Sequence, residues 1–207
     1  SILLASGVTN TRISLSASYK HPTVVESDLG SGSLRTTDLG LNFKKRIEEL
    51  AREWSLFPVA SSFALAQRGA PKPVVPEKNL RIICGSFDSQ YVEHLLRDGQ
   101  DHFFVGRAPG HVATVGPFVQ PGSTPCRRCL SLIEADRVGV AELSIPLGTS
   151  DELPIAVAHQ VAALAAHAAL KFIDTGKTEL QAAQLIVDFL DALNPQLQHF
   201  PQHPECE

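Results

Sequence analysis

Cys126-Arg-Arg-Cys129 follows the turn-forming run Val115-Gly-Pro-Phe-Val-Gln-Pro-Gly-Ser-Thr-Pro125 and is answered late in the chain by His203-Pro-Glu-Cys206. No other stretch constrains the fold as strongly. Two thiols with two residues between them, brought round by Pro and Gly, have the spacing of half a tetrahedral zinc knuckle. Cys206 offers a third sulfur that would tie the late part of the chain back to its middle. Unrelated buried thiols are the plainer alternative, since Cys packs as a small hydrophobe. A Cys126–Cys129 disulfide is the rival chemistry. No signal-peptide pattern is present, and four Cys in 207 residues do not make a disulfide scaffold. A reduced, cytoplasmic setting and a bound metal are therefore the expectation.

The chain is 43% hydrophobic and 19% charged, which predicts one globular domain over residues 1–207 with a full core. A net charge of −4 gives no broad pull toward a phosphate backbone, so no nucleic-acid partner is expected. No Met occurs, even at residue 1, which points to a piece of a longer chain or to residues missing within it.

The opening run Ser1-Ile-Leu-Leu-Ala5 breaks at Ser6-Gly7, and a second apolar run, Thr23-Val-Val25, ends in the acids Glu26 and Asp28. Strand, Gly turn, helix and acid-ended strand are the start of a nucleotide-binding βαβ unit. Ala5-x-Gly7-x-x-Asn10 keeps only the middle glycine of a dinucleotide fingerprint, so an ordinary tight turn is the competing reading. After the polar loop 30–40, Phe43, Ile47, Leu50 and Trp54 recur at helical spacing, with Lys44, Lys45 and Arg46 clustered in the first half. Those cations face either a triphosphate or only solvent. A Pro- and Ala-rich connector over 57–78 is expected to be mobile. Leu80-Arg-Ile-Ile-Cys84 reads as a central strand with Asp88 just beyond it, placed for a magnesium ion or as a helix N-cap. Cys84, at the strand end, reads as a buried structural thiol.

His102 to Val105, His111 to Val115 and Gln184 to Leu190 read as further strands, the last followed by Pro-rich coil. Between them, Leu153 to Asp174 is Ala-rich and apolar, interrupted by His159, Gln160, His167 and Lys171. Those polar residues argue against a membrane span and for a buried or dimer-facing helix, so a homodimer is expected. His159 and His167 read as interfacial or hydrogen-bonded rather than metal-binding.

In this order, the degenerate Gly turn, the acid-ended second strand, Leu34-Arg-Thr-Thr-Asp-Leu-Gly40, Ile82-Ile-Cys-Gly85 with its Asp, the Val-Gly-Pro to Cys-Arg-Arg-Cys-Leu block and His-Pro-Glu-Cys resemble the ThiF/MoeB-type, ubiquitin-activating-like family. The block and ending are most similar to ThiF-like proteins of actinobacteria and of thiazole/oxazole-modified peptide clusters. The resemblance implies a Rossmann-like, mostly parallel sheet with helices on both faces. It also implies a structural zinc knuckle over 116–130 and 203–207, and ATP with magnesium in active members, which adenylate the carboxyl terminus of a peptide or ubiquitin-like carrier protein. Through it Glu26 matches a ribose-binding acid, Lys44 or Lys45 a phosphate-contacting base and Asp88 a magnesium ligand, while Gly7 and Asn10 belong to the phosphate loop. Arg12 and Arg35 are candidates for a catalytic arginine.

The losses at Ala5 and Asn10 match degenerate relatives that bind a leader peptide and present it to a cyclodehydratase partner. Cys126, Cys129 and Cys206 match three zinc ligands. Family endings read His-Pro-x-Cys-x-Cys, so the fourth ligand falls one residue past Glu207, with His203 or Cys84 as substitutes. An NAD-type binding module is a third reading, permitted by Glu26 and disfavoured by the glycine losses.

Overall fold

The computed structural model describes residue 3 and residues 22–31, 33–55, 79–85, 89–108, 111–138, 153–191 and 193–206. The chain forms two compact units, Ser1–Pro76 and Glu77–Glu207, divided inside the connector read from the sequence.

In the first unit the helix α1, Phe43–Ser55, carries Phe43, Ile47 and Leu50 of the predicted stripe on one side. Phe43 and Ile47 pack against a small core of Val24, Leu34 and Leu50. Asn42 caps the helix, its Oδ1 accepting the Lys45 backbone N–H at 3.0 Å, as a short polar side chain does at an N-terminus. The segment 22–25 is not a sheet strand. Thr23 makes one isolated antiparallel bridge to Asn42, and the Val24 N–H donates to Leu41 O at 2.8 Å. Leu3 is helical where a strand was expected, and the rest of 1–21 lies outside the described residues.

The second unit holds a five-stranded sheet in the order β1 (Arg81–Cys84), β2 (His102–Ala108), β3 (Val112–Val119), β4 (Ala183–Asp188), β5 (Gln196–His199). Only β1 and β2 are parallel, and α2 (Ser89–Arg97) lies between them in the chain, as a parallel pair requires. The other three pairings are antiparallel, so the sheet is mixed rather than mostly parallel. The β2–β3 and β4–β5 links are too short for anything but hairpins.

Successive side chains of β2 alternate between the two faces. Phe104 joins Ile83, Val119 and the α2 residues Val92 and Leu95 on one face. Phe103 stacks on Phe118 at 5.9 Å on the other, and Phe118 meets Phe172 of α4 (Ile155–Thr175) at 4.2 Å. Helices thus cover both faces, which explains why β3 is buried over almost its whole length. By length and composition alone α4 is long and apolar enough to cross a membrane, but here Val157, Val161, Ala165, Ala169 and Phe172 are buried in the fold.

The β2–β3 register slips by one residue between Phe103 and Val105, where β3 inserts Gly116-Pro117 opposite Phe104. The extra residue is a β-bulge, and Pro, with no N–H to donate, is at home in one. Gly116 has φ +100, and a Cβ built on it would stand 2.9 Å from the Ala183 carbonyl oxygen and 3.2 Å from Gln184 Cα. The backbones of β3 and β4 approach so closely there that only glycine fits.

Candidate metal centre

The bulged end of β3 runs into a tight turn that folds back on Gln120. The Ser123 and Thr124 N–H groups donate to Gln120 O at 2.9 and 3.1 Å, and the Gln120 N–H donates to Thr124 Oγ1 at 2.9 Å. The turn delivers Cys126 to the start of a helix absent from the sequence reading, α3, Arg127–Val138. The Leu130 N–H donates to Cys126 O at 3.4 Å, so Cys126 sits at the N-cap and Cys129 one turn along. Cys129 is buried, and Cys126 packs against the Ile83–Phe104–Val119 cluster. Arg127 anchors the same turn with its guanidinium 5.7 Å from the Phe104 ring centre, and burial pulls its pKa down to about 10.

The third sulfur arrives from the other direction. Instead of continuous coil after β4, the chain returns as β5, paired along β4 from Ala183↔His199 to Ile186↔Gln196. His203-Pro-Glu-Cys206 then closes a turn, the Cys206 N–H donating to His203 O at 3.0 Å. Pro204 occupies the second position, where its fixed φ favours such turns.

Cys126 Sγ lies 3.9 Å from Cys129 Sγ and 3.4 Å from Cys206 Sγ, and all three sulfurs fall within 4.8 Å of one another. A tetrahedral ion with bonds of about 2.3 Å holds its sulfurs about 3.8 Å apart. The spacing therefore fits one metal ion, and the cysteines are free thiols, not a disulfide. Their titration follows the same geometry. Burial pushes the Cys129 thiol up, but backbone hydrogen bonds from His203 and Cys126, joined by the other two thiols, outweigh it and lower its pKa. Burial and then the thiols of Cys129 and Cys126 push Cys206 up to about 12. Three thiolates cannot crowd together without a cation, and a metal ion removes that penalty.

The substitute fourth ligands are not placed for the role. His203 uses both ring nitrogens, Nε2–H donating to Asp136 Oδ2 at 3.0 Å and Nδ1 accepting the Glu205 N–H at 3.1 Å. Cys84 ends β1 exposed rather than buried, outside the sulfur cluster. Asp136 and α3 were missed in the sequence, although Cys129 and Asp136 are seven residues apart and so share a helix face.

Only some of the nucleotide-site candidates fall on described residues. Gly7, Asn10, Arg12 and Asp88 lie outside the described residues. Glu26 is exposed at the start of the 3-10 turn Glu26–Ser31, not at the tip of a parallel strand. Lys44 and Lys45 are exposed in the first turn of α1, Lys44 within 4.0 Å of Glu48. Among the described residues of that unit the buried charge is instead Asp38, which accepts the Arg35 N–H at 2.8 Å and the Arg46 Nε–H at 2.8 Å. The Arg35 backbone N–H lowers the Asp38 pKa, burial opposes it, and Arg46 lowers it further. Arg46 is thus held by the loop rather than offered with Lys44 and Lys45. On α4, His159 and His167 are exposed, and His159 Nδ1–H donates to Ile155 O at 2.8 Å.

No family model and no curated protein matches the sequence. Solved structures do. E. coli MccB with ATP superposes with a TM-score of 0.60 at 17% identity, over 89% of this chain and 55% of that one. The microcin C7 biosynthetic enzyme MccB with N-formylated MccA gives a TM-score of 0.62 at 16% identity, over 89% and 57%. E. coli MccB with AMPCPP and MccA gives 0.61 at 16%, over 89% and 56%. The chain therefore spans a little over half the length of these proteins, and at this identity what it shares with them is the fold.

Proposed function

We propose that this chain is a ThiF/MoeB-type protein acting in the modification of a ribosomal peptide or carrier protein, as a peptide-binding or scaffold partner with a structural zinc site. The observation that carries the reading is the fold shared with MccB over 89% of the chain, because the MccB structures hold ATP and MccA. The motif resemblance reaches the same family independently, through the Val-Gly-Pro to Cys-Leu block and the His-Pro-Glu-Cys turn. Ala5 and Asn10, standing where the phosphate loop has glycines, favour the scaffold over the enzyme, since a Cβ keeps backbone from closing on a phosphate. Cys126, Cys129 and Cys206 would hold the zinc, whose work is to fasten α3 to the late turn.

The second reading, an active ATP-dependent adenylyltransferase, is favoured by the ATP in the MccB crystal. In that reading Glu26, Lys44 or Lys45 and Asp88 serve the ribose, the phosphates and magnesium. Calorimetric titration with ATP and magnesium, followed by pyrophosphate exchange with candidate peptides, separates the two. Exchange abolished by Asp88→Ala would sink the scaffold; no detectable ATP binding would sink the enzyme. The proposal also has the protein reduced and cytoplasmic, and a second copy docking along α4, which sedimentation across a concentration series reads directly.

A further inference from the structure

The turn that carries Cys206 is fastened to α3 by more than its sulfur. His203 reaches the helix through its ring, whose Nε2–H donates to Asp136 Oδ2 at 3.0 Å. The other ring nitrogen accepts the Glu205 N–H at 3.1 Å, and His203 O accepts the Cys206 N–H at 3.0 Å, so the imidazole is rigid within the turn it holds. These bonds fix the tautomer, with the proton on Nε2 and the lone pair on Nδ1. Asp136 stands two helical turns beyond Cys129 on the same side of α3.

We propose that Asp136 and His203 form a latch that sets Cys206 in place as the third metal ligand, both acting as positioning residues and neither as a ligand. The inference rests on the metal reading of the three cysteines and goes beyond it, because it assigns the geometry of the site to two residues outside the sulfur set. Cys126 and Cys129 share one turn of helix, so their separation is given by α3 itself. Cys206 has no such support, and a free turn would have to be ordered at the moment the ion binds. A latch formed beforehand removes that cost. The Asp136 side chain is 74% exposed and His203 only 8%, so the pair works by direction rather than by Coulomb attraction, which water screens at Asp136.

The test is competition titration of the whole chain with Co(II), following both affinity and the thiolate-to-Co(II) absorbance, whose intensity scales with the number of sulfurs bound. Asp136→Leu and His203→Leu are each expected to weaken binding about tenfold, within the range for outer-shell partners. The absorbance should drop toward that of two thiolates at limiting metal. The double variant should lose no more than either single one, because both break one device. Asp136→Asn keeps an acceptor for Nε2–H and should bind nearly as wild type. Asp136 is exposed, so its variants report on the latch even where His203→Leu fails to fold. Wild-type affinity and absorbance in Asp136→Leu, or losses that add in the double variant, would overturn the latch and leave the metal site standing. A wild type that takes up no Co(II) would remove the metal reading and the latch with it.

Discussion

Gly116→Ala should be far more damaging than the same substitution six residues later. Both glycines have positive φ, +100 at Gly116 and +76 at Gly122, so both substitutions force a side chain into backbone space that L-residues rarely adopt. That strain costs about 1–3 kcal/mol, offset by about 0.4–1 kcal/mol from the stiffer unfolded chain. At Gly122 nothing lies within 4 Å of the added Cβ, so the account ends there, near 1 kcal/mol. At Gly116 the Cβ meets the Ala183 carbonyl oxygen at 2.9 Å and Gln184 Cα at 3.2 Å. Those are backbone atoms of β4, which cannot swing aside as a side-chain tip would, and overpacking of this kind adds about 1–3 kcal/mol.

The expected gap between the two variants is therefore about 2 kcal/mol, roughly thirtyfold in the unfolding equilibrium constant. Urea unfolding followed by circular dichroism gives the midpoint shift at constant slope. The one tryptophan, Trp54, lies in the first unit and would report on the wrong half of the chain. Hydrogen exchange at the Phe118 N–H, which donates to Leu180 O at 2.9 Å beside the bulge, gives a local reading. Equal midpoints for the two variants, with Phe118 exchange unchanged in Gly116→Ala, would refute the argument that β3 and β4 are closed to a Cβ.

The aromatic stack through the sheet makes a second prediction: Phe172→Ala should cost about 3–5 kcal/mol, and a cycle with Phe118→Leu should show coupling of about 0.5–1.5 kcal/mol, both read by denaturant unfolding. His102, fully buried, donates Nδ1–H to Gln100 O at 2.8 Å and keeps Nε2 buried with no partner among the described residues, and burial lowers its pKa. The unfolded chain therefore takes up a proton that the folded ring refuses, so the stability His102 permits is full above about pH 6.5 and declines as pH falls below it. His102→Leu should flatten that slope, and unchanged slopes in paired pH titrations of stability would count against the buried ring. Chelation should lower the melting temperature of wild type and leave Cys126→Ser unmoved, with metal analysis of both proteins as the companion measurement. A stable wild type free of metal would defeat the zinc reading.

Hydrophobic runs were legible in the sequence wherever burial is two-sided or strictly periodic. Ile82-Ile-Cys84, Phe103-Phe-Val105 and the Gln184–Val187 run became β1, β2 and β4, and Phe43, Ile47 and Leu50 turned one face of α1 to its core. β5 was missed because Gln-Leu-Gln-His carries little apolar signal, its residues being exposed or half-exposed. α3 was missed because its first turn also reads as a metal knuckle, and a helix whose described side chains are buried only at the adjacent Cys129 and Leu130 shows no stripe. Strand direction was misjudged for a different reason. A nucleotide-type opening suggests crossovers throughout, whereas direction is settled by connection length, and the three residues between Ala108 and Val112 admit only a hairpin.

The candidate site divides along the same physical line. Ligand type is written in side-chain chemistry, so the Cys126/Cys129 pair and the third thiol at Cys206 are legible as candidate ligands, and the structure brings their sulfurs within 4.8 Å of one another. What holds a ligand in place depends on direction, which spacing encodes only inside a regular element. The seven-residue interval from Cys129 to Asp136 becomes informative once 127–138 is known to be helical. Before that, His203 looks like a spare ligand, because an imidazole beside a cysteine has the right donor. The same limit applies at Arg46, which reads as one of three clustered cations until the loop carrying Asp38 folds back over it. In both cases a residue that seemed available for binding is already engaged by a carboxylate, at Asp136 by way of a helix and at Asp38 by way of a tight turn. A basic or metal-binding side chain is free to serve a ligand only where the fold leaves its donors unspent, and the folded backbone decides which ones those are.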